Sequence, residues 1–227
     1  MKNIGTVLLA ALAFGSLSLS ASADTLTLKS TGNQTVNGNI AVYPYNFSIN
    51  GSSTLTQLMC LDYNREITTN ETWNVTKSGI PQDNSQTSVD YRALALILSA
   101  IQNNPLGISN ADYQIAAWSI FDPQQVMSTG GYTATAALVR AAALRDASST
   151  FHTPGFNYSN FSLYLPTGDT TGWTNGIPQR FLGATGDNPG MTPNLNMVPT
   201  PEPSALLLLG TGVLGVASLV RSRFVAI

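Results

Sequence analysis

The sequence predicts an α+β fold, in which short antiparallel strands form a barrel or sandwich and three helices are inserted between them. Apolar and polar residues alternate early in the chain, apolar residues then recur at helical spacing, and short strand-like runs return afterwards. Because strands and helices occupy separate stretches and do not alternate along the chain, a parallel α/β sheet is not expected.

The strands are predicted from runs of β-branched and aromatic residues with a period of two. Asn50-Gly51 is a strong turn pair between two of them. The predicted strands cover residues 25–28, 40–49, 55–61, 72–75 and 161–165.

The helices are predicted from Leu- and Ala-rich stretches in the middle of the chain, at residues 91–101, 110–121 and 132–147. Pro105 follows the first helix and ends it. Ser109 or Asn110 can cap the second helix, and Asp122-Pro123 ends it.

Residues 1–23 read as a secretory signal peptide. Lys2 supplies the positive start, an uncharged apolar run follows over residues 4–19, and Ala21 and Ala23 give the small-x-small pattern that signal peptidase requires. Cleavage after Ala23 is expected, which makes Asp24 the first residue of the mature chain.

A second apolar segment lies near the other end of the sequence. Pro201-Glu202-Pro203 is followed by an uncharged segment over residues 204–220, and Arg221 and Arg223 come directly after it. A helix of that length reaches across the hydrocarbon core at the lower limit of the usual range. The arginines would stay on the cytoplasmic side.

This order of features closely resembles the PEP-CTERM sorting signal. The resemblance implies a Gram-negative envelope and an exosortase as the processing partner. It also implies an exported protein that is held in the inner membrane by the C-terminal helix and reaches the cell surface or extracellular matrix after sorting. The predicted organisation is a signal peptide at 1–23, an α+β domain at 24–167, a loop-rich stem at 168–198 and the sorting signal at 199–227.

Composition excludes several function classes. The chain has 10 Lys and Arg, 12 Asp and Glu, and no basic patch, so nucleic-acid binding is not expected. His152 is the only histidine and Cys60 the only cysteine, so neither a multi-histidine zinc site nor an internal disulfide can form. No metal or cofactor is expected. A Ser-His-Asp triad would need His152, which has no nucleophile-elbow motif nearby.

Gln114 is the candidate for chemistry on the second helix. Gln114, Trp118 and Phe121 lie at i, i+4 and i+7, so they share one face. A buried glutamine amide needs a partner, which is usually the backbone. A cysteine thiolate could instead displace ammonia from the amide and leave an internal thioester.

The stretch Tyr113-Gln114-Ile115-Ala116-Ala117-Trp118 is similar to the signature of the Cys-Gln thioester domains of bacterial surface adhesins. In that family the cysteine lies upstream on a strand, where Met59-Cys60-Leu61-Asp62-Tyr63 looks like the matching element. The resemblance implies that Cys60 is the thiol half, that Gln114 is the acyl half, and that Trp118 and Tyr113 shield the bond from water.

The expected function is therefore that of a non-enzymatic adhesin that captures an amine- or hydroxyl-bearing surface partner, or exopolysaccharide, through a Cys60–Gln114 thioester. The alternative is a noncatalytic structural protein of the exopolysaccharide matrix or envelope, with Cys60 buried as a small apolar residue. A third and weaker alternative is a carbohydrate-active enzyme that uses Asp62 and Glu66.

Overall fold

The computed structural model describes residues 23–104, 106–148, 156–168 and 178–185. These residues form a closed barrel of six antiparallel strands beside four helices, which confirms the predicted α+β class. The strands in chain order are β1 (Asp24–Thr31), β2 (Thr35–Val36), β3 (Ile40–Ala41), β4 (Tyr45–Ile49), β5 (Leu55–Cys60), β6 (Thr72–Gly79), β7 (Phe161–Pro166) and β8 (Phe181–Ala184).

Barrel closure joins strands that are far apart in the sequence. The order around the barrel is β1-β4-β5-β8-β7-β6, and β6 pairs with β1. Strand β8 lies between β5 and β7, with Cys60 opposite Phe181 and Leu163 opposite Leu182. This differs from the predicted organisation, because β8 falls inside the segment 168–198 that was expected to be a loop-rich stem.

Strands β2 and β3 form a separate two-stranded hairpin outside the barrel. The sequence predicted one strand over residues 40–49, but β3 and β4 are distinct, with a cis Tyr43–Pro44 peptide bond between them. Asn37 and Gly38 turn the hairpin with positive φ values of 51° and 84°. Both are residue types that tolerate this conformation.

Aromatic side chains fill the barrel interior. Phe47 meets Phe181 edge-on at a centroid distance of 4.7 Å and meets Trp73 at 5.7 Å. Leu26 and Leu28 of β1 are fully buried on the same side of the sheet, since Leu28 pairs with Phe47 and Leu26 with Trp73. Period-two alternation along β1, β4 and β6 therefore builds one apolar core.

Gly183 permits a close approach inside the barrel. It lies opposite Leu58 on the neighbouring strand. A Cβ atom at this position would lie 2.5 Å from Leu58 Cδ2 and 3.2 Å from Tyr164 Cε2. Glycine is required because the Leu58 side chain already occupies that space.

The helices are α1 (Gln86–Asn103), α2 (Asn110–Phe121), α3 (Pro123–Ser128) and α4 (Ala134–Ala147). Ser85, Ser109 and Thr133 cap α1, α2 and α4 by accepting a backbone N–H through their side chains. Three helices were predicted; the fourth is the short α3, which begins at Pro123, where the missing N–H has no cost.

The helices cover one part of the barrel. α1 packs on β8, α2 packs on β5, and α1, α2 and α4 pack on one another. The outward-facing residues Met59, Leu163 and Leu182 are thereby buried. Within the described ranges, no helix combines the length and the apolar character needed to cross a membrane. The segment 204–220 lies outside those ranges.

Candidate functional site

Cys60 lies at the junction between the barrel and the helices. It is the last residue of β5 and has no exposed surface. Its thiol lies 3.2 Å from Gln179 Oε1 and 3.3 Å from the Asp62 carbonyl oxygen, and it donates toward both. A thiol carries one proton, so these two acceptors share it.

Gln114 meets Cys60 from the helical side. It lies in the second turn of α2, with no exposed surface, and its Nε2 donates to the Cys60 carbonyl oxygen over 2.7 Å. Its Oε1 has no hydrogen-bond partner among the described residues. A buried carbonyl oxygen without a donor costs about 1–3 kcal/mol, so this amide is only half satisfied.

Trp118 lies one helical turn after Gln114 on the same face of α2 and is 1% exposed. Its ring packs edge-on against Tyr63 at a centroid distance of 5.3 Å. The indole N–H makes no hydrogen bond of normal geometry within the described part of the chain, yet it is near enough to the Cys60 sulfur to favour the thiolate. Trp118 thus closes one side of the niche around the sulfur.

Burial raises the pKa of the Cys60 thiol to about 12. The Trp118 indole and the Arg180 guanidinium lower this pKa, whereas the negative charge of Asp62 raises it further. Desolvation is the largest of these effects, because a thiolate at this position would lose its hydration completely. At neutral pH a free Cys60 is therefore a protonated thiol.

An ion pair holds the start of β8 beside Cys60. The Asp62 carboxylate accepts from Arg180 Nη2 at 2.5 Å, from Arg180 Nε at 2.9 Å and from the Arg180 backbone N–H at 2.7 Å. The guanidinium carbon lies 4.5 Å above the Phe121 ring. With its oxygens occupied in this way, Asp62 is a poor match for a glycosidase acid, because such an acid must be free to exchange a proton with a sugar.

Gln179 contacts the sulfur, and the sequence analysis did not single it out. Its Nε2 donates to the carbonyl oxygens of Arg65 and Asp62, which fixes Oε1 toward the Cys60 thiol. The only signal for it in the sequence is the Phe181-Leu182 pair directly after it, a weak strand pattern inside a loop-rich stretch.

A cavity of about 280 Å³ opens beside the niche. Trp118, Gln179 and Tyr45 belong to its wall. Two of these side chains, Trp118 and Gln179, also contact the Cys60 thiol, so one layer of side chains separates the cavity from the sulfur.

Of the four residues assigned to the thioester, Gln114 hydrogen-bonds to the Cys60 backbone and Trp118 lies near the Cys60 sulfur, whereas Tyr113 forms no hydrogen bond with them. Tyr113 is fully buried, and its hydroxyl has no partner among the described residues. Ala23 is exposed and comes directly before β1. The predicted residues outside the described ranges are Ala21, His152, Pro201, Glu202, Pro203, Arg221 and Arg223.

No group of three or more His, Cys, Asp or Glu side chains that could hold a metal ion occurs within the described residues. The chemistry that this site offers is that of one thiol and two amides in a niche that excludes water.

Comparison with known protein families bears on the sorting of the chain. Residues 199–223 match the PEP-CTERM protein-sorting motif. The motif marks an exported, envelope-sorted protein and implies an exosortase as the processing partner. It includes the predicted Pro201-Glu202-Pro203 and both arginines, Arg221 and Arg223. No curated protein and no solved structure matches the chain.

Proposed function

We propose that this protein is a surface or matrix protein of the envelope that captures a nucleophile covalently through an internal thioester between Cys60 and Gln114. The observation that carries the proposal is the approach of the Gln114 amide nitrogen to within 2.7 Å of the Cys60 carbonyl oxygen, with both residues fully buried. The Gln114 side-chain amide therefore contacts the backbone of the residue that carries the thiol, and both residues are closed to water.

The chemistry of bond formation balances without a cofactor. The Cys60 sulfur attacks the Gln114 side-chain carbonyl carbon, the C–N bond breaks, and the thiol proton leaves with the nitrogen as ammonia. The Gln114 oxygen becomes the thioester oxygen, which is a weaker hydrogen-bond acceptor than an amide oxygen. Its lack of a donor is consequently less unfavourable in the thioester than in the amide.

The niche suits a bond that must survive in water. Trp118 and Tyr63 pack edge-on against each other, Gln179 contacts the sulfur, and Cys60 has no exposed surface. When a nucleophile on a partner attacks, the C–S bond breaks and the sulfur leaves with a proton as the Cys60 thiol. Gln179 Oε1 and the Asp62 carbonyl then accept from that thiol. The event occurs once per molecule and is not turnover.

Intact mass measured under non-reducing conditions tests the proposal. The isolated protein should be lighter than its calculated mass by one ammonia, should show no free thiol, and should gain methylamine while releasing the thiol. Cys60→Ala and Gln114→Ala should each abolish the mass deficit. Gln179→Ala should retain it, because Gln179 is a neighbour of the sulfur and not the proposed acyl half.

The Cys60→Ala control is essential because an Asn-Gly step that cyclises also loses ammonia. Asn37-Gly38, Asn50-Gly51 and Asn175-Gly176 are such steps, and Cys60→Ala leaves all three intact. A full calculated mass with a titratable thiol would contradict the proposal. A deficit that survives Gln114→Ala but not Gln179→Ala would also contradict it, because the acyl half would then be Gln179.

The second candidate is a noncatalytic structural protein of the matrix or envelope. The observation that favours it is that the Cys60 thiol and the Gln114 Nε2 already have hydrogen-bond acceptors, as ordinary core residues do. Under this alternative the protein retains the full mass, and methylamine adds nothing.

A further inference from the structure

The cavity beside the Cys60 niche combines an aromatic inner wall with a polar rim. We call it the Tyr63 pocket and define it by six of its lining residues, Asn39, Tyr63, Arg65, Glu66, Thr68 and Trp118. Trp118 is buried, Tyr63 and Arg65 are half-buried, and the other three are exposed. The volume of about 280 Å³ is near the roughly 300 Å³ at which small-molecule sites begin, which suits a ligand of one ring.

The rim offers hydrogen-bonding groups that the protein does not use. The side chains of Asn39, Glu66 and Thr68 form no hydrogen bond and no ion pair with any described residue. They supply an amide that donates and accepts, a carboxylate that accepts through two oxygens, and a hydroxyl that does both. A ligand that meets all three must carry several donors and acceptors on a small frame.

The charges around the pocket offset one another. Arg65 and Arg180 both lie within ion-pair distance of Asp62, at 3.6 Å and 2.5 Å, and Glu66 supplies the second negative charge. Two cations and two anions give no net charge, so the local field favours neither a cationic nor an anionic ligand. The pocket therefore suits a neutral ligand.

Tyr63 adds a flat apolar surface of fixed orientation. Its ring packs edge-on against Trp118 at a centroid distance of 5.3 Å, and its hydroxyl accepts from Asn37 Nδ2 at 3.4 Å. The face of an aromatic ring is electron-rich and attracts the C–H groups of a sugar ring. A sugar satisfies this wall and the polar rim together, whereas an apolar ligand would deprive the rim groups of water without replacing it.

We propose that the Tyr63 pocket binds one uncharged hexopyranose, the terminal unit of a glycan. The binding is noncovalent, does not involve the Cys60 sulfur and is independent of the thioester. The sugar is bound and not cleaved, because glycoside hydrolysis needs two carboxylates and Asp62 is already occupied by Arg180, which leaves Glu66 alone.

Binding is tested by titrating the full-length chain with the methyl glycosides of glucose, galactose and mannose, in a detergent without a sugar headgroup. Saturation-transfer difference NMR should show saturable binding of at least one glycoside, with a dissociation constant on the order of 1 mM. Asn39→Ala should weaken it by roughly twofold to tenfold, which corresponds to one net hydrogen bond. Cys60→Ala should bind equally well, so a failed thioester test leaves this result intact.

Asn84→Ala is the matched control, since Asn84 is an exposed asparagine before α1 and outside the pocket wall. It should leave binding unchanged. Absence of saturable binding for all three glycosides would overturn the inference, as would equal weakening by Asn39→Ala and Asn84→Ala.

Two further ligands test the stated class. Tighter binding of glucuronate or glucosamine than of methyl glucoside would overturn the assignment to an uncharged sugar. A disaccharide that ends in the preferred hexose should bind as well as the methyl glycoside, because only its terminal ring enters the pocket. Loss of binding for the disaccharide would overturn the assignment to the end of a glycan.

Discussion

At the scale of single residues, Cys60 combines a reactive group with surroundings that suppress its reactivity. Burial raises the pKa of the thiol to about 12, and two carbonyl oxygens accept from the protonated form. A thioester avoids this titration because it has no thiol proton. The free thiol and the thioester should therefore respond differently to pH.

Alkylation of the thiol measures this difference. In Gln114→Ala the thiol is free, and iodoacetamide at pH 8 should alkylate it about a thousandfold more slowly in the native state than in denaturant. The factor follows from a pKa of about 12 in the fold against 9.0 for an ordinary thiol. Comparable rates in the two states would contradict the burial of a protonated thiol.

The same shift sets the sign of the pH dependence of stability. The pKa of Cys60 is higher in the folded state than in the unfolded state. The contribution of the protonated thiol to the free energy of unfolding is therefore fully present below about pH 9 and is lost as the pH rises toward 12. Chemical denaturation of Gln114→Ala should show this loss. The same variant with Cys60→Ala added serves as the control, because it retains the tyrosines that also titrate in that range.

At the scale of elements, β8 matters most, since this four-residue strand closes the barrel between β5 and β7 and positions Gln179 and Arg180. Its register places Gly183 where a larger residue cannot fit beside Leu58. The strand is short, so its stability depends on this packing and not on intrinsic propensity.

Gly183→Ala should lower the free energy of unfolding by about 1–3 kcal/mol, because the added Cβ would lie 2.5 Å from Leu58 Cδ2 in the barrel interior. Gly79→Ala on β6 is the matched control, as a Cβ there meets no atom within 4 Å. Urea denaturation followed by circular dichroism compares the two. Equal stability of the two variants would show that the Leu58 side chain moves aside without cost.

The sequence predicted the elements with a clear period or a clear cap and missed those without either. Alternation located β1, and the choice of Ser109 or Asn110 as the cap located the start of α2, where the cap is Ser109. The pairing of Cys60 with Gln114 was expected from a resemblance to thioester domains and not from periodicity; the structure shows a hydrogen bond from Gln114 to the Cys60 backbone, and the thioester stays a prediction. Strand β8 was missed because it is buried on both faces and shows no alternation, and Gln179 was missed with it.

At the scale of the whole molecule, the barrel is built from strands at both ends of the described part of the chain. β1 begins at Asp24, and β8 extends to Ala184, beyond the boundary at residue 167 that the sequence predicted. A folded unit therefore needs at least residues 24–184. Loss of β8 would leave β5 and β7 with unpaired edges, which favour aggregation.

Two shortened chains test this requirement. A chain of residues 24–185 should unfold cooperatively, whereas a chain of residues 24–168 should aggregate or lack a thermal transition, because it loses β8 and the Arg180 partner of buried Asp62. Circular dichroism melting and size-exclusion chromatography distinguish them. A matching melting temperature for both chains would show that β8 is dispensable.

The position of β8 also limits the distance between the barrel and the sorting motif before the tail is processed. Residues 185–198, fourteen in number, separate the barrel from the sorting motif at 199–223. Fourteen residues extend over at most about 50 Å, so the barrel remains within that radius of the motif while the two are joined. Under the proposed chemistry, an amine on a distant cell or fibre becomes reachable only after the tail has been cut, and processing then precedes long-range attachment.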